Sequence, residues 1–156
     1  MTSNTPSDAN SDDSTSQHDP TTPPELTDEQ VEFLNSLFDL ARAGDADQLL
    51  PLLDQGIPVD LTNHRGDTLL ILATYNDHAS LAQELIQRGA DVNHLNERGQ
   101  SALSCAVFVQ NEESVRALLA AGADPDAGPV SARAAVEMFG LESMRSLLDG
   151  PTGNTP

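Results

Sequence analysis

Apolar residues recur along the chain in short helical bursts, each closed by glycine or a polar pair. Leu69, Leu70, Leu72 and Ala73 give one short apolar face, and Leu81, Ala82, Leu85 and Ile86 give a second at helical spacing. Gly89 suits a left-handed cap after the second helix. Asn96-Glu97-Arg98-Gly99 reads as a tight turn with glycine where positive φ is needed. The unit predicted is helix, turn, helix, extended finger. It recurs: Gly56, Gly89 and Gly122 are spaced by 33 residues, and Gly66 and Gly99 keep the same step. Leu52-Leu53, Leu85-Ile86 and Leu118-Leu119 repeat with them, as do Asp60, Asn93 and Asp126. A fixed period of this size means stacked repeats, because one such unit cannot bury its apolar stripe alone.

The flanking copies are modified. Thr27-Asp28-Glu29-Gln30 is a capping-box pattern, and Val31, Phe33, Leu34, Leu37, Phe38, Leu40 and Ala41 continue a helix to about Ala43. Gly44 follows as the turn, and Leu49, Leu52 and Leu53 form the next helix. Asp39 puts a charge where later copies have Leu72 and Cys105, which suits an end repeat with one solvated face. Pro51 marks either a late start of its helix or a kink within it. Asp45, Asp47 and Glu112-Glu113 suit the positive ends of second helices. At the other end, Ala134-Ala135-Val136, Met144-Arg145 and Leu147-Leu148 match the third copy at an offset of 29. That deficit of four (33 − 29) falls near Gly128-Pro129, in the finger of a shortened cap ending at Gly150.

These residues carry a resemblance to the ankyrin repeats, whose pattern is D-x-x-G-x-T-P-L-H-x-A-A-x-x-G-H, then an apolar helix, then G-A-D-V-N. Asn63 to Asn93 runs N-H-R-G-D-T-L-L-I-L-A-T-Y-N-D-H … R-G-A-D-V-N, and Asn96 to Asp126 runs N-E-R-G-Q-S-A-L-S-C-A-V-F-V-Q-N … A-G-A-D-P-D. Leu69 and Ala102 stand where the family has Pro, and Ile71 and Ser104 where it has His. The family's Thr–His hydrogen bond is therefore absent, which implies less rigid loops. The resemblance implies an all-α ankyrin-repeat solenoid of about four helix-turn-helix repeats with short β-hairpin fingers. The repeats expected are about 27–62, 63–95, 96–128 and 129–150.

Charge and composition narrow the function. The chain has 156 residues and 25 Asp+Glu against 7 basic residues, all Arg, for a net charge of −18. That disfavours nucleic-acid backbones and anionic membranes as partners. The Lys-free basic set fits a GC-rich bacterial genome. Cys105 is the single cysteine, so neither a disulfide framework nor a cysteine metal cluster is available. No apolar run approaches the roughly 20 residues of a membrane span, and no secretory signal pattern opens the chain. A cytoplasmic monomer is expected. Residues 1–26 read as a disordered acidic tail that confers solubility or serves as an autoinhibitory or partner-binding arm, and 151–156 as a polar tail.

No catalytic set, cofactor site or metal site is predicted. There is no phosphate-binding loop and no nucleophile elbow. His78 occupies the family's structural turn position, and His64 and His94 lie on neighbouring fingers without a third ligand. Cys105 falls on an apolar inner position and reads as a small buried hydrophobe. What remains is surface. Members of the family bind partner proteins on a concave side built from finger tips and first-helix ends. Residue by residue that implies His64, Arg65 and Asp67, then Glu97, Arg98 and Gln100, on the fingers. On the helix ends it implies Arg42 and Ala43, Tyr75 and Asn76, and Phe108 and Val109. Tyr75, Phe108 and Val109 are apolar where the core does not need them, either as interface anchors or as packing for the end repeats. The function implied is a non-enzymatic protein-binding module whose acidic rim favours a basic partner. The alternatives are an acidic inhibitor mimicking nucleic acid, an accessory factor that stabilises a stress-response enzyme, and an enzyme.

Overall fold

The computed structural model describes residues 26–149. The acidic tail expected over 1–26 (Leu26 apart), the polar tail and Gly150 lie outside the described residues. Among them, eight helices follow in pairs: α1 (Asp28–Ala43) and α2 (Ala46–Asp54), α3 (Leu69–Tyr75) and α4 (Ala79–Gln87), α5 (Ala102–Phe108) and α6 (Glu112–Ala120), α7 (Ala132–Phe139) and α8 (Glu142–Asp149). The chain divides into two units at Phe33–Leu34, inside α1, and α2 to α8 lie in the second.

The helices start where the capping chemistry is. Thr27 Oγ1 accepts from Gln30 N at 3.1 Å while Gln30 Oε1 accepts from Thr27 N at 2.9 Å, the reciprocal box expected ahead of α1. Asp45, Thr68, Ser101, Asn111 and Ser131 each accept a backbone N–H in the first turn of the helix that follows. Ser104 changes the expectation of less rigid loops for the third copy. It stands at the family's His position, and its hydroxyl accepts from Ser101 N at 2.9 Å while Ser101 Oγ accepts from Ser104 N at 3.1 Å. A serine pair thus does locally what the Thr–His pair does elsewhere.

First helices stack on first helices, α3 on α5 and α5 on α7, and second helices likewise, α4 on α6 and α6 on α8. The interdigitating side chains are those of the apolar pattern: Leu69, Leu70, Leu81, Leu85, Leu103, Val107, Val115, Leu118 and Val136 are fully buried. One polar group is caught in that core. The Ser114 hydroxyl is buried with no hydrogen-bond partner among the described residues, on a helix face that carries Leu81 one repeat earlier. An orphaned hydroxyl of this kind costs about 1–3 kcal/mol.

Gly89 closes α4 at φ 89°, as its cap role requires, and Gly56 and Gly122 do the same for α2 and α6. Gly44 (φ 72°) has a second reason to be glycine: a Cβ there would lie 2.5 Å from the His78 ring. That ring reaches back one repeat, its Nε2 lying 2.7 Å from the Arg42 carbonyl oxygen at the end of α1. His78 is structural, as its register implies.

Two expectations are corrected. The fingers are not β-hairpins. Among the described residues, only isolated bridges form, Thr62–Thr68 and Gln100–Val130. Each finger keeps one backbone bond across its turn, Asn63 N to Asp67 O and Asn96 N to Gln100 O, while the returning Asp67 and Gln100 N–H groups are accepted by the Asn63 and Asn96 side chains. The fourth unit is short by three residues, not four. The first-helix N-caps are Ser101 and Ser131, and the second helices begin at Glu112 and Glu142, both at an offset of 30, leaving a deficit of 33 − 30 = 3. All of it lies in the finger between Asp124 and Ser131.

Candidate protein-binding face

Each finger is built around an asparagine. Asn63 Oδ1 accepts from Arg65 N and Asp67 N, both at 2.9 Å, which bends the chain into a turn. Asn96 repeats this with Arg98 N and Gln100 N at 2.9 Å. Its amide nitrogen then donates to Asp67 Oδ1 at 2.8 Å and to Gln100 Oε1 at 3.0 Å. Glu97 N donates to the Arg65 carbonyl at 2.9 Å, and His94 Nε2 lies 2.9 Å from the Gly66 carbonyl oxygen. The second and third fingers are thereby locked side by side. Their outer loops are locked too, since Asp60 accepts from Asp91 N and Asn93 from Asp124 N, both at 2.8 Å.

The predicted finger residues divide accordingly. His64, Arg65, Glu97 and Arg98 are exposed at the tips. Asp67 is only 8% exposed, its carboxylate taken up by Asn96 and Asn63, so it holds the fingers together rather than facing out. Gln100 is half-buried and bonded to Asn96.

On the first-helix ends, Tyr75 and Phe108 come together as their 33-residue spacing implies. Their rings stack with centroids 6.1 Å apart and planes 10° from parallel. Phe139 continues the row, 5.6 Å from Phe108 and edge-on at 67°. The three rings are 45%, 48% and 53% exposed, and Val109 beside them is half-buried. Asn76 caps α3, its amide donating to the Leu72 carbonyl at 2.8 Å. Arg42 is exposed and turned onto Asp39 at 2.8 Å. A cleft of about 40 Å³ joins the aromatic row to the fingers, lined by Tyr75, Arg98, Gln100 and Asp67 over Ile71, Leu72 and Cys105.

Two stacked helix layers, fingers bonded tip to tip and the 33-residue period describe one architecture, and comparison with known proteins agrees. Residues 37–128 match the family model described as ankyrin repeats in three copies. The chain belongs to the ankyrin-repeat family. It is also 55% identical, over 56 residues, to a Pseudomonas aeruginosa protein whose name describes it as an ankyrin repeat protein. That match covers 36% of this chain and 33% of the relative, so the chain spans about a third of the relative's length.

Phe139 is the member of the aromatic row that sequence reasoning missed. Aligned at an offset of 29, Phe108 falls on Glu137 and the third ring disappears from the row. With α7 running eight residues against seven for α5, the last residue of each helix is a phenylalanine. The signal was available in the Phe139-Gly140 pair, an aromatic immediately before a left-handed cap (φ 65°).

Other side chains of the ankyrin repeats are settled by burial. Cys105 is 2% exposed. Burial pushes its thiol up to about 12, the Asp67 charge adds to this, and Arg98 and the Ser104 hydrogen bond oppose it. A free thiol ionises near 8.5. Below that value neither state loses the proton. Between there and about 12 only the unfolded chain does, so this thiol makes stability fall as pH rises through that window. Alkylation of Cys105 at pH 8 is accordingly expected to follow the unfolding equilibrium, and a stopped-flow thiol assay showing rapid modification of the native chain would contradict this. Among the described residues, no group of three His, Cys, Asp or Glu is placed to hold a metal ion. None of their helices is long and apolar enough to cross a membrane.

Proposed function

We propose that this chain is a non-enzymatic binding module that holds a partner protein on the face made by the finger tips and the Tyr75–Phe108–Phe139 row. Ankyrin repeats are in general protein–protein interaction modules. The observation that carries the reading here is the row itself: three aromatic rings, Phe108 in contact with both Tyr75 and Phe139, each about half exposed, on the ends of first helices whose buried apolar side chains form the core. Rigid aromatic side chains beside arginine are what interface hot spots consist of, because they bury much area at little entropic cost. The rings also stack on one another before any partner arrives, so less ordering remains to be done on binding.

The test is capture of partners from lysate with the full chain and with Tyr75→Ala/Phe108→Ala, at low and moderate salt. Stacked ring pairs contribute about 0.5–1.5 kcal/mol beyond burial, so the double variant should stay folded with a melting temperature lowered by about 5 °C or less. Loss of the captured protein at that retained fold supports the reading. A partner held equally by the variant but released by salt would place binding on the acidic surface instead and favour the nucleic-acid mimic.

A further inference from the structure

Arginine pairing separates one part of the surface from the rest. The chain has seven basic residues, all Arg, in an excess of acid. Five of them are paired: Arg42 with Asp39, Arg88 with Asp54 and Glu84, Arg116 with Glu112, Arg133 with Asp126 and Asp149, and Arg145 with Glu137 and Glu142. Arg65 and Arg98 form no ion pair with any described residue. They occupy the same position in successive copies, 33 residues apart, on fingers joined by the Glu97 N–Arg65 O bond. Both are exposed. Arg98 also lines the cleft that Tyr75 borders.

Random placement in so acidic a chain would leave few cations without a carboxylate. The acids that could have met them are spent or elsewhere. Asp67 is buried between Asn63 and Asn96. Glu97, the neighbour in sequence, makes no ion pair with either arginine among the described residues. Of the other carboxylates, Asp45, Asp47, Glu84, Glu112, Glu113 and Asp124 lie on the second helices and the loops around them, Asp28, Glu29, Glu32 and Asp39 on α1, and Asp77 and Glu137 close in sequence to Tyr75 and Phe139. Those two already have partners, Asp77 in the Asn111 amide at 2.6 Å and Glu137 in Arg145 at 3.8 Å. Arg98, at the cleft that Tyr75 borders, and Arg65, on the finger bonded to it, have no carboxylate partner among the described residues.

We infer that the ankyrin face takes an acidic, apolar peptide segment of its partner: carboxylates pair with Arg65 and Arg98 while neighbouring aromatic or aliphatic side chains cover Tyr75, Phe108 and Phe139. This rests on the binding face proposed above and adds the chemistry of its occupant. A guanidinium accepts a carboxylate in a two-pronged, planar pair, which fixes register as well as charge. The net charge of −18 does not forbid it, since charges beyond the screening length of about 8 Å at physiological salt are largely screened. The paired arginines along the second helices have already met their carboxylates and add no such discrimination.

The test is panning of a random 12-residue peptide library displayed on phage against the full chain in physiological salt, followed by affinities of the recovered peptides for the native chain and two double variants. Recovered sequences should combine Asp or Glu with Phe, Leu, Ile or Trp. Their affinity should fall roughly tenfold or more on Arg65→Gln/Arg98→Gln, with an unchanged melting temperature. A Glu→Gln peptide should lose the same factor on the native chain and almost nothing on the double-Gln variant. Recovery of Lys- or Arg-rich peptides, equal binding by the double-Gln variant, or no recovered peptide at all overturns the inference. Peptides that bind Tyr75→Ala/Phe108→Ala as tightly as the native chain would instead overturn the binding face itself, so the two failures are distinguishable.

Discussion

Replacing Asn96 by alanine is expected to destabilise the chain by about 3 kcal/mol, several times the effect of an ordinary surface change. The side chain is 8% exposed and makes four hydrogen bonds, two accepted from Arg98 N and Gln100 N and two donated to Asp67 and Gln100. Removal leaves two turn N–H groups without their acceptor and takes the neutral donor away from the buried Asp67 carboxylate. Asn63→Ala should cost less, about 1–2 kcal/mol, since its amide reaches Asp67 only at 3.5 Å and the residue is half-buried. Urea unfolding measures both. The slope with denaturant should not change, because the surface exposed on unfolding does not. A cycle with Asp67→Ala should show coupling above about 0.5 kcal/mol, the signature of neighbours in one network. An Asn96→Ala loss below 1 kcal/mol would mean that water replaces the amide at little cost and that the fingers are not locked through this residue.

The same network explains a departure from the family pattern. Ankyrin repeats have Asp where Asn96 stands. Here an aspartate would set its carboxylate against that of Asp67, 2.8 Å from the present amide nitrogen. Two like charges in a buried site repel, so one would have to take up a proton. Asparagine keeps both acceptor bonds of the turn and adds the donor that Asp67 needs. Asn96→Asp is therefore unfavourable despite restoring the family residue.

Much of this architecture was legible in the sequence because period and capping chemistry are local. Gly89 announced its left-handed cap, Thr27 and Gln30 their box, and Asp45 its helix start. What was not legible depended on neighbours one repeat away. Nothing in residues 63–67 says that Asp67 is buried, since its partner, Asn96, sits 29 residues further on. The finger hairpins are a different case, because the Asn63 and Asn96 side chains accept N–H groups two and four residues on, a choice made by local turn geometry rather than by strand propensity. Phe139 was lost because it lies 31 residues after Phe108 (139 − 108), one residue beyond the N-cap offset of 30, the difference being the extra residue of α7. For the contact face, spacing brought Tyr75 and Phe108 together in the sequence as in space, whereas the isolation of Arg65 and Arg98 became visible only when the partners of the other five arginines were known.

Pro51 is a feature the sequence left open, and its position in the fold makes a prediction of opposite sign to that for Asn96. Asp45 accepts from Gln48 N at 3.2 Å and is the N-cap of α2, so the helix begins at Ala46 and Pro51 is its sixth residue. It is not a first-turn proline. Its ring nitrogen cannot donate to the Asp47 carbonyl four residues earlier, and the ring crowds that oxygen. The residue is exposed, while Leu49 and Leu53 on the opposite face hold the helix to the core. Packing thus keeps helical a segment that its proline disfavours. Pro51→Ala should relieve most of the roughly 3 kcal/mol that proline costs in a helix interior. The alanine chain is more flexible when unfolded, which takes back about 0.4–1 kcal/mol. A net gain of about 2 kcal/mol is expected, seen as a rise of roughly 5–10 °C in melting temperature. A neutral or destabilising result would show that Pro51 sits in the first turn of a shorter helix, where its missing N–H costs nothing.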